Sequence, residues 1–340
     1  MHAFLVGLLS FAAIASASDS SSCSGLKSMV AATYGFRPSL LDQKGQDAKA
    51  REMDAVWQAV RKSPKALIPC LRDELAERTQ DTWFVFDASQ LLVSVDPSRD
   101  SKAILLAALK QVSLDDVDLR VWVETTSSLG KEGFDTSDVG RRWLTYPRAE
   151  YFLPEHGAYR VDRGNGGIFI FGSLDERYAT PALAELCRTE SGEAREVSAW
   201  LLMSQATPQA LRALKELNPE GLSPRAQASL KALLEHPTLI SPRASPKTSR
   251  KEFIAAFEAF VAGNQRPFER LVEKVPDGER DVVAVCTPAD LELIRRVRRH
   301  YAARANQHAI EYYNVFSQIL MTLAWRADEP AKTGGYHDGA

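Results

Sequence analysis

The 340-residue chain lacks an excess of charge of either sign, since 42 Lys and Arg residues face 44 Asp and Glu residues and the formal net charge is −2. A nearly neutral chain gives no electrostatic reason to expect nucleic acid as a partner. Biased composition is absent as well, because 45% of the residues are hydrophobic and 25% are charged, as in ordinary folded proteins. The composition therefore predicts a folded protein that does not bind nucleic acid.

The motifs that mark common catalytic and cofactor sites are also missing. The sequence has no Gly-x-Ser-x-Gly, His-Glu-x-x-His or phosphate-loop pattern. No Cys-x-x-Cys or Cys/His pair has the spacing of zinc ligands, and we expect no cofactor. We therefore expect a non-enzymatic protein. The alternative is an enzyme or an enzyme-accessory factor, lyase-like or hydrolase, with its site near Gly164–Gly172 or His308.

Residues 1–17 form one strongly apolar stretch that ends in the small residues Ala15-Ser16-Ala17. The stretch is shorter than the roughly 20 apolar residues of a membrane-spanning helix, so it predicts a secretory signal peptide that is cleaved before Ser18. It contains no Lys or Arg, which leaves His2 and the α-amino group to supply positive charge. We expect export to a periplasm or to the cell exterior, with no transmembrane segment after cleavage.

The chain has only four cysteines, which are Cys23, Cys70, Cys187 and Cys286. Export would permit disulfides, and four cysteines allow three full pairings, among which the spacing does not choose. Cys70 and Cys187 lie on the apolar faces of expected helices. This position favours small buried thiols at both residues.

Apolar residues return every three or four positions in segment after segment, which is the pattern of amphipathic helices. Four such stripes are Met53, Val56, Trp57 and Val60; Leu67, Ile68, Leu71 and Leu75; Phe84, Ala88, Leu91, Leu92 and Val95; and Ile104, Leu105, Ala108, Leu109 and Val112. Ser63-Pro64 and Asp96-Pro97 separate helices. Most of the six tryptophans fall on stripes and are expected to pack between helices. The chain is therefore predicted to be all-α, built from stacked helical hairpins.

The periodicity fails between Gly164 and Gly172, where four consecutive apolar residues stand between glycines. The segment fits a buried strand or a short buried helix, and its context favours the helix. The glycine spacing is not that of a phosphate or dinucleotide loop, so we expect the glycines to allow turns and close packing. Ser173-Leu174-Asp175-Glu176 has the pattern of a capping box and predicts that a helix begins there.

The segment from Ser191 to Leu214 resembles the HEAT-like repeat, which also occurs in repeat proteins of the phycobilisome-lyase type. Arg195 matches the inward-set arginine of that pattern, and Thr207 to Leu214 match the Thr-Pro-x-Ala-Leu opening of the next unit. Ser191 stands where the family usually has Asp, so the ladder of Asp–Arg pairs between repeats would lack its acid here. The resemblance covers about residues 175–235 and implies a HEAT-like α-solenoid. From 46 to 146 only the spacing of helix pairs, roughly 35 to 45 residues, agrees.

The domain organisation follows from these stripes and from one stretch without them. Residues 238–248, with Pro242 and Pro246, have no apolar period and are expected to form a linker. We predict a signal peptide (1–17), a flexible N-terminal segment (18–38), a HEAT-like helical repeat domain (39–237), the linker, a C-terminal helical domain (249–327) and a disordered tail (328–340). In the C-terminal domain Ser249-Arg250-Lys251-Glu252 has the capping-box pattern, and the apolar positions from Leu291 to Leu323 predict one long helix of about 40 residues.

The densest basic run of the chain lies on this predicted long helix. Its arginines, which are our predicted binding residues, are Arg295, Arg296, Arg298 and Arg299. A helix would spread them over its outer sides while Ile294 and Tyr301 face inward. The arginines could contact an anionic surface, or they could form solvated pairs with acids such as Glu292 and Asp290.

Two further groups are candidate sites. His308 and Glu311 share a helical face and could touch one metal ion, but the apolar stripe around His308 favours a hydrogen-bonded core histidine. Glu155-His156, in an expected turn, could pair an acid with a base, yet no nearby Ser or Cys would serve as nucleophile. The sequence therefore predicts a binding or scaffolding role, in which an extended solenoid surface recognises a protein or other macromolecule outside the cytoplasm.

Overall fold

The computed structural model describes residues 64–77, 80, 82–153, 159–205, 207–235, 240–268, 270–271, 278–303 and 307–328, and six positions between 48 and 62. The side chains at 64–67, 153, 159, 307–309 and 325–328 are excepted. Within this part of the chain fifteen α-helical segments dominate, so the predicted all-α fold is confirmed. One two-stranded antiparallel sheet, with Tyr151 opposite Val161, was not predicted. The expected signal peptide, the N-terminal segment, Cys23 and residues 329–340 lie outside the described residues.

The first of two compact units ends at Asp118. Its described helices are α1 (Pro64–Glu77), α2 (Thr82–Val95) and α3 (Arg99–Gln111), and α2 packs against both of the others. The predicted stripes of these three helices supply its core, which includes Leu71, Leu75, Phe84, Leu91 and Leu92. The predicted stripe of Met53, Val56, Trp57 and Val60 lies outside the described residues. The predicted break at Asp96-Pro97 is confirmed, and Ser98 caps α3 by accepting a hydrogen bond from the Ser101 N–H.

The second compact unit begins at Leu119. Its elements are α4 (Leu119–Lys131), α5 (Ser137–Thr145), β1 (Tyr151–Leu153), β2 (Tyr159–Val161), α6 (Arg163–Ser173), α7 (Glu176–Thr189), α8 (Gly192–Gln205), α9 (Pro208–Lys215), α10 (Pro224–Glu235), α11 (Arg250–Val261), α12 (Arg266–Phe268), α13 (Gly278–Val285), a 3-10 turn (Pro288–Asp290), α14 (Leu291–Ala302) and α15 (Gln307–Asp328). Helices on both sides of the predicted linker 238–248 thus lie in one unit. The boundary between the two compact units lies between Asp118 and Leu119, within the stretch 39–237 that the sequence predicts as the repeat domain.

Helices α7 to α10 stack on one another in chain order. Thr207 caps α9 as predicted, because its hydroxyl accepts a hydrogen bond from the Ala210 N–H at 3.0 Å. Helix α7 also begins where predicted, but Asp175 is its cap and not Ser173. The Ser173 hydroxyl instead donates to the Ile170 carbonyl at the end of α6.

Helix α6 lies at the centre of the second unit. All its residues from Gly166 to Ser173 are buried, and it packs against α4, α5, α8, α14 and α15. A Cβ at Gly166 would lie 2.4 Å from the Trp143 ring, and a Cβ at Gly172 would lie 2.4 Å from the Tyr313 ring. The helix interpretation of Gly164–Gly172 is confirmed, and these two glycines allow close packing rather than turns.

The prediction of one long helix from Leu291 to Leu323 is wrong. Helix α14 ends at Ala302, α15 begins at Gln307, and the two pack extensively against each other. Folding back brings both apolar stripes into one aromatic core with α11, which begins at the predicted capping box of Ser249 and Glu252. The aromatic residues of that core are Phe253, Phe257, Phe260, Phe268, Tyr301 and Phe316. A continuous helix would leave part of this apolar surface exposed to water.

Candidate functional site

An open groove with a volume of about 460 Å³ lies between α8, α10 and α15 of the second unit. Helix α8 packs against both α10 and α15 and so forms the middle of the groove. Each helix contributes side chains that are three or four positions apart, so the lining consists of three helical stripes. The lining residues are Trp200, Met203, Ser204, Ser229, Ala232, Leu233, Asn314, Gln318 and Met321.

Nine described side chains line the groove, and none of them carries a charge. Trp200, which the sequence placed in the core, is 37% exposed at the groove. Met203, Leu233 and Met321 add apolar surface, and the serine, asparagine and glutamine side chains add hydrogen-bonding groups. A charged group that entered the groove would lose hydration without gaining a partner of opposite charge. The groove is therefore suited to an uncharged and partly apolar ligand.

Two residues of α8 fix the position of α10, which is one wall of the groove. Arg195 donates hydrogen bonds to the carbonyl oxygens of Asn218 and Glu220, at 2.7 and 2.8 Å, in the loop before α10. Glu196 accepts hydrogen bonds from the hydroxyl and the backbone N–H of Ser223, at 2.6 and 3.2 Å. Arg195 thus binds backbone carbonyls of the loop that connects α9 to α10.

Ser204 connects the groove to a buried polar cluster. Its hydroxyl donates to the Leu201 carbonyl at 2.7 Å, and its oxygen lies 3.1 Å from the Tyr313 hydroxyl, which can donate to it. Its carbonyl oxygen accepts a hydrogen bond from Nη1 of Arg298. The Arg298 guanidinium also lies over the Tyr313 ring, 5.3 Å from the centroid. Contacts from α14 and α15 therefore hold the inner surface of the groove in place.

Arg298 is the centre of this polar cluster and is only 1% exposed. Its Nη2 lies 3.2 Å from Oε1 of Glu176 and 3.3 Å from the Gln205 carbonyl oxygen. Glu176 also accepts a hydrogen bond from Arg299 at 2.8 Å. Buried charges are tolerated in this way only when they are paired and hydrogen-bonded. Arg298 thus joins α14 to the first residue of α7 and to the end of α8.

The structure places the four predicted binding arginines in different environments. The expectation that all of them lie on the outer side of the helix is wrong, since Arg298 is buried and the side chains of Arg295 and Arg299 are only 16% and 17% exposed. Of the four, Arg296 alone is exposed. Glu292 pairs with Arg295 and Arg299, as the alternative expectation of ion pairs proposed. Binding by these residues stays a prediction.

The structure does not support the alternative enzyme sites with an arrangement of catalytic groups. Gly164–Gly172 forms helix α6 and not a loop, and side chains of other helices fill the space beside its buried glycines. The Glu155-His156 pair and the His308 side chain lie outside the described residues. Where the chain is described, no group of three or more potential metal ligands occurs. No described helix is long and apolar enough to cross a membrane.

The three cysteines in the described part of the chain differ in state. Cys187 and Cys286 are buried free thiols, and burial raises the pKa of each to about 12. Cys70 is disulfide-bonded. The expected buried thiol is thus confirmed at Cys187 and wrong at Cys70. Neither free thiol is ionised near neutral pH, so neither is suited to act as a nucleophile.

Comparison of the chain with known protein families, with curated proteins and with solved structures finds no match.

Proposed function

We propose that this chain is a non-enzymatic, HEAT-like α-solenoid binding protein that recognises a protein outside the cytoplasm through the groove between α8, α10 and α15. The observation that carries the proposal is the uncharged lining around the exposed Trp200. Binding sites on proteins combine apolar surface with a few hydrogen-bonding groups, and tryptophan is enriched among residues that dominate binding energy. The fit between the groove and these rules supports a binding role.

The HEAT-like assignment rests on the sequence resemblance and on the packing of α7 to α10. These helices stack in chain order, Thr207 caps α9, and Arg195 of α8 binds the loop before α10. Each feature agrees with a repeat in which one helix pair packs against the next. Export is supported by the apolar start of the sequence and by the disulfide at Cys70, because disulfides persist mainly in oxidising compartments.

A catalytic role for the groove has less support. Among the described residues that line it, no carboxylate, imidazole, amine or thiol could act as acid, base or nucleophile. The hydroxyl of Ser204 is engaged with a backbone carbonyl and with Tyr313, and no base lies among its hydrogen-bond partners.

Site-specific photo-crosslinking in the producing cells would test the proposed function. Benzoylphenylalanine would replace Gln318, which is exposed in the groove, or Gln209, which is exposed on α9 away from it. We expect the probe at 318 to crosslink a discrete protein, identified by mass spectrometry, that the probe at 209 does not reach. The proposal fails if neither position, or both equally, yields that adduct.

A further inference from the structure

We propose that the groove accepts the apolar, uncharged face of an α-helix of the partner protein, over about two helical turns. This inference rests on the proposed function and specifies the chemistry of the partner. The spacing of the nine described lining residues and their lack of charge support it.

The length of the groove matches two turns of a helix. On α15 the lining residues Asn314, Gln318 and Met321 span seven positions, a rise of about 10 Å. Two turns of a partner helix would present anchoring side chains at positions i, i+3 or i+4, and i+7, which is the usual pattern of a helix bound in a groove. The volume of about 460 Å³ lies in the range of pockets for compact ligands, so it suits a few anchoring side chains.

An extended peptide would find no sheet edge to pair with in this groove. The three described walls are α-helices, in which most backbone N–H and C=O groups are engaged within the helix, and the Ser204 carbonyl at the end of α8 accepts a hydrogen bond from Arg298. Addition of a β-strand requires a free sheet edge, and the groove has none among its lining residues. Recognition therefore depends mainly on side chains, which favours an occupant whose own backbone is satisfied internally, as in a helix.

The lining also selects the side chains of the occupant. Apolar anchors would pack on Trp200, Met203 and Met321, and the flexible methionines would adapt to anchors of different shape. An anchor with a carboxylate or an ammonium group would meet no opposite charge among the described lining residues. Asn314 and Gln318 could form hydrogen bonds with polar residues that flank the apolar face of the partner. A lipid chain offers no such groups.

Selection from a phage-displayed library of random peptides of about 15 residues, long enough to form a helix, would test the inference on the mature chain. We expect enriched peptides to carry uncharged apolar residues at i, i+3 or i+4, and i+7, without proline between them. The inference is overturned if no peptide is enriched, or if enriched peptides have charged anchors or an extended, proline-containing pattern.

Fluorescence anisotropy with the best labelled peptide would then place the binding site. We expect Gln318→Lys and Trp200→Ala to raise the Kd at least about tenfold, and the matched variant Gln209→Lys to leave it unchanged. Equal affinity for all variants would overturn the inference, as would groove-dependent binding of neutral phosphatidylcholine vesicles in place of peptide. If peptide selection fails while the probe at 318 still crosslinks a protein, the helical occupant is wrong and the proposed function stands.

Discussion

Oε1 of Glu176, at the first position of α7, lies 3.2 Å from Nη2 of Arg298 on α14. The same guanidinium reaches the carbonyl oxygens of Ser204 and Gln205 at the end of α8. A cation near the C-terminus of one helix and an anion at the N-terminus of another are both placed favourably with respect to the helix dipoles. One buried arginine thus ties together three helices directly beneath the candidate groove.

Replacing Arg298 should destabilise the second unit strongly. In Arg298→Met, two carbonyl oxygens lose their donor and Glu176 loses one of its two arginine partners, so we expect a cost of about 3 to 5 kcal/mol. The free energy of unfolding, measured by urea denaturation, checks this. Arg296→Met is the matched control, because Arg296 is exposed on the same helix, and we expect it to change the free energy by less than about 0.5 kcal/mol. Similar losses in both variants would contradict the role given to Arg298.

Two glycines of α6 should respond oppositely to alanine. A Cβ at Gly172 would lie 2.4 Å from the Tyr313 ring and 3.0 Å from Cβ of Ala302, so Gly172→Ala should cost about 1 to 3 kcal/mol. A Cβ at Gly164 would meet only a carboxylate oxygen of Asp162 at 3.5 Å. Gly164→Ala should be neutral or stabilising by up to about 1 kcal/mol, because alanine restricts the unfolded chain. Thermal unfolding of both variants tests this, and equal melting temperatures would count against close packing at Gly172.

The cysteines should separate into one disulfide and two protected thiols. Because Cys187 and Cys286 are free, Cys23 is the only remaining cysteine that could pair with Cys70 within the chain. We expect non-reducing peptide mapping of the protein to detect a Cys23–Cys70 peptide. Cys187 and Cys286 should react with iodoacetamide only after denaturation, since they are buried and not ionised near neutral pH. Rapid labelling of either thiol in the native protein would contradict their described burial.

Asp87 on α2 should make stability depend on pH. Burial raises the pKa of this carboxyl to about 7, whereas its ordinary value is 3.8. The native state therefore holds the proton more tightly than the unfolded state. Protonated Asp87 contributes fully to the free energy of unfolding below about pH 4, and this contribution decreases as the pH rises toward 7. Asp87→Asn should be more stable than the wild type at pH 8 and equal to it at pH 3. Urea denaturation at the two pH values measures this, and a variant that is less stable at pH 8 would refute it.

Local features of the fold were predictable from the sequence because they depend on residues close together in the chain. Ser249 and Glu252 form a capping box, and Thr207 caps the helix that begins at Pro208. The sequence therefore predicts where both helices begin. The turn between α14 and α15 was missed, because Ala303 and its neighbours include no glycine or proline. Only the shared aromatic core explains why the chain folds back there.

The candidate site was missed for a similar reason. The groove is assembled from three helices that are distant in sequence, and its uncharged lining lacks a motif that spacing could reveal. Trp200 occupies a stripe position, yet it is exposed at the groove, and stripe periodicity cannot separate a buried position from one at a groove edge. Arg298 shows the reverse error, since it is predicted to be exposed and is buried. A basic run predicts a solvated face, and the sequence does not reveal that Glu176 lies opposite Arg298.

Hydrogen–deuterium exchange of the protein, with and without a saturating selected peptide or crosslink-identified partner, tests the binding role of the groove most directly. We expect slower exchange in the helical segments that line it, at residues 200–204, 229–233 and 314–321. Exchange around the exposed Arg296 of α14 should not change. Protection confined to α14 or to the first compact unit, with none in the three lining segments, would contradict the account.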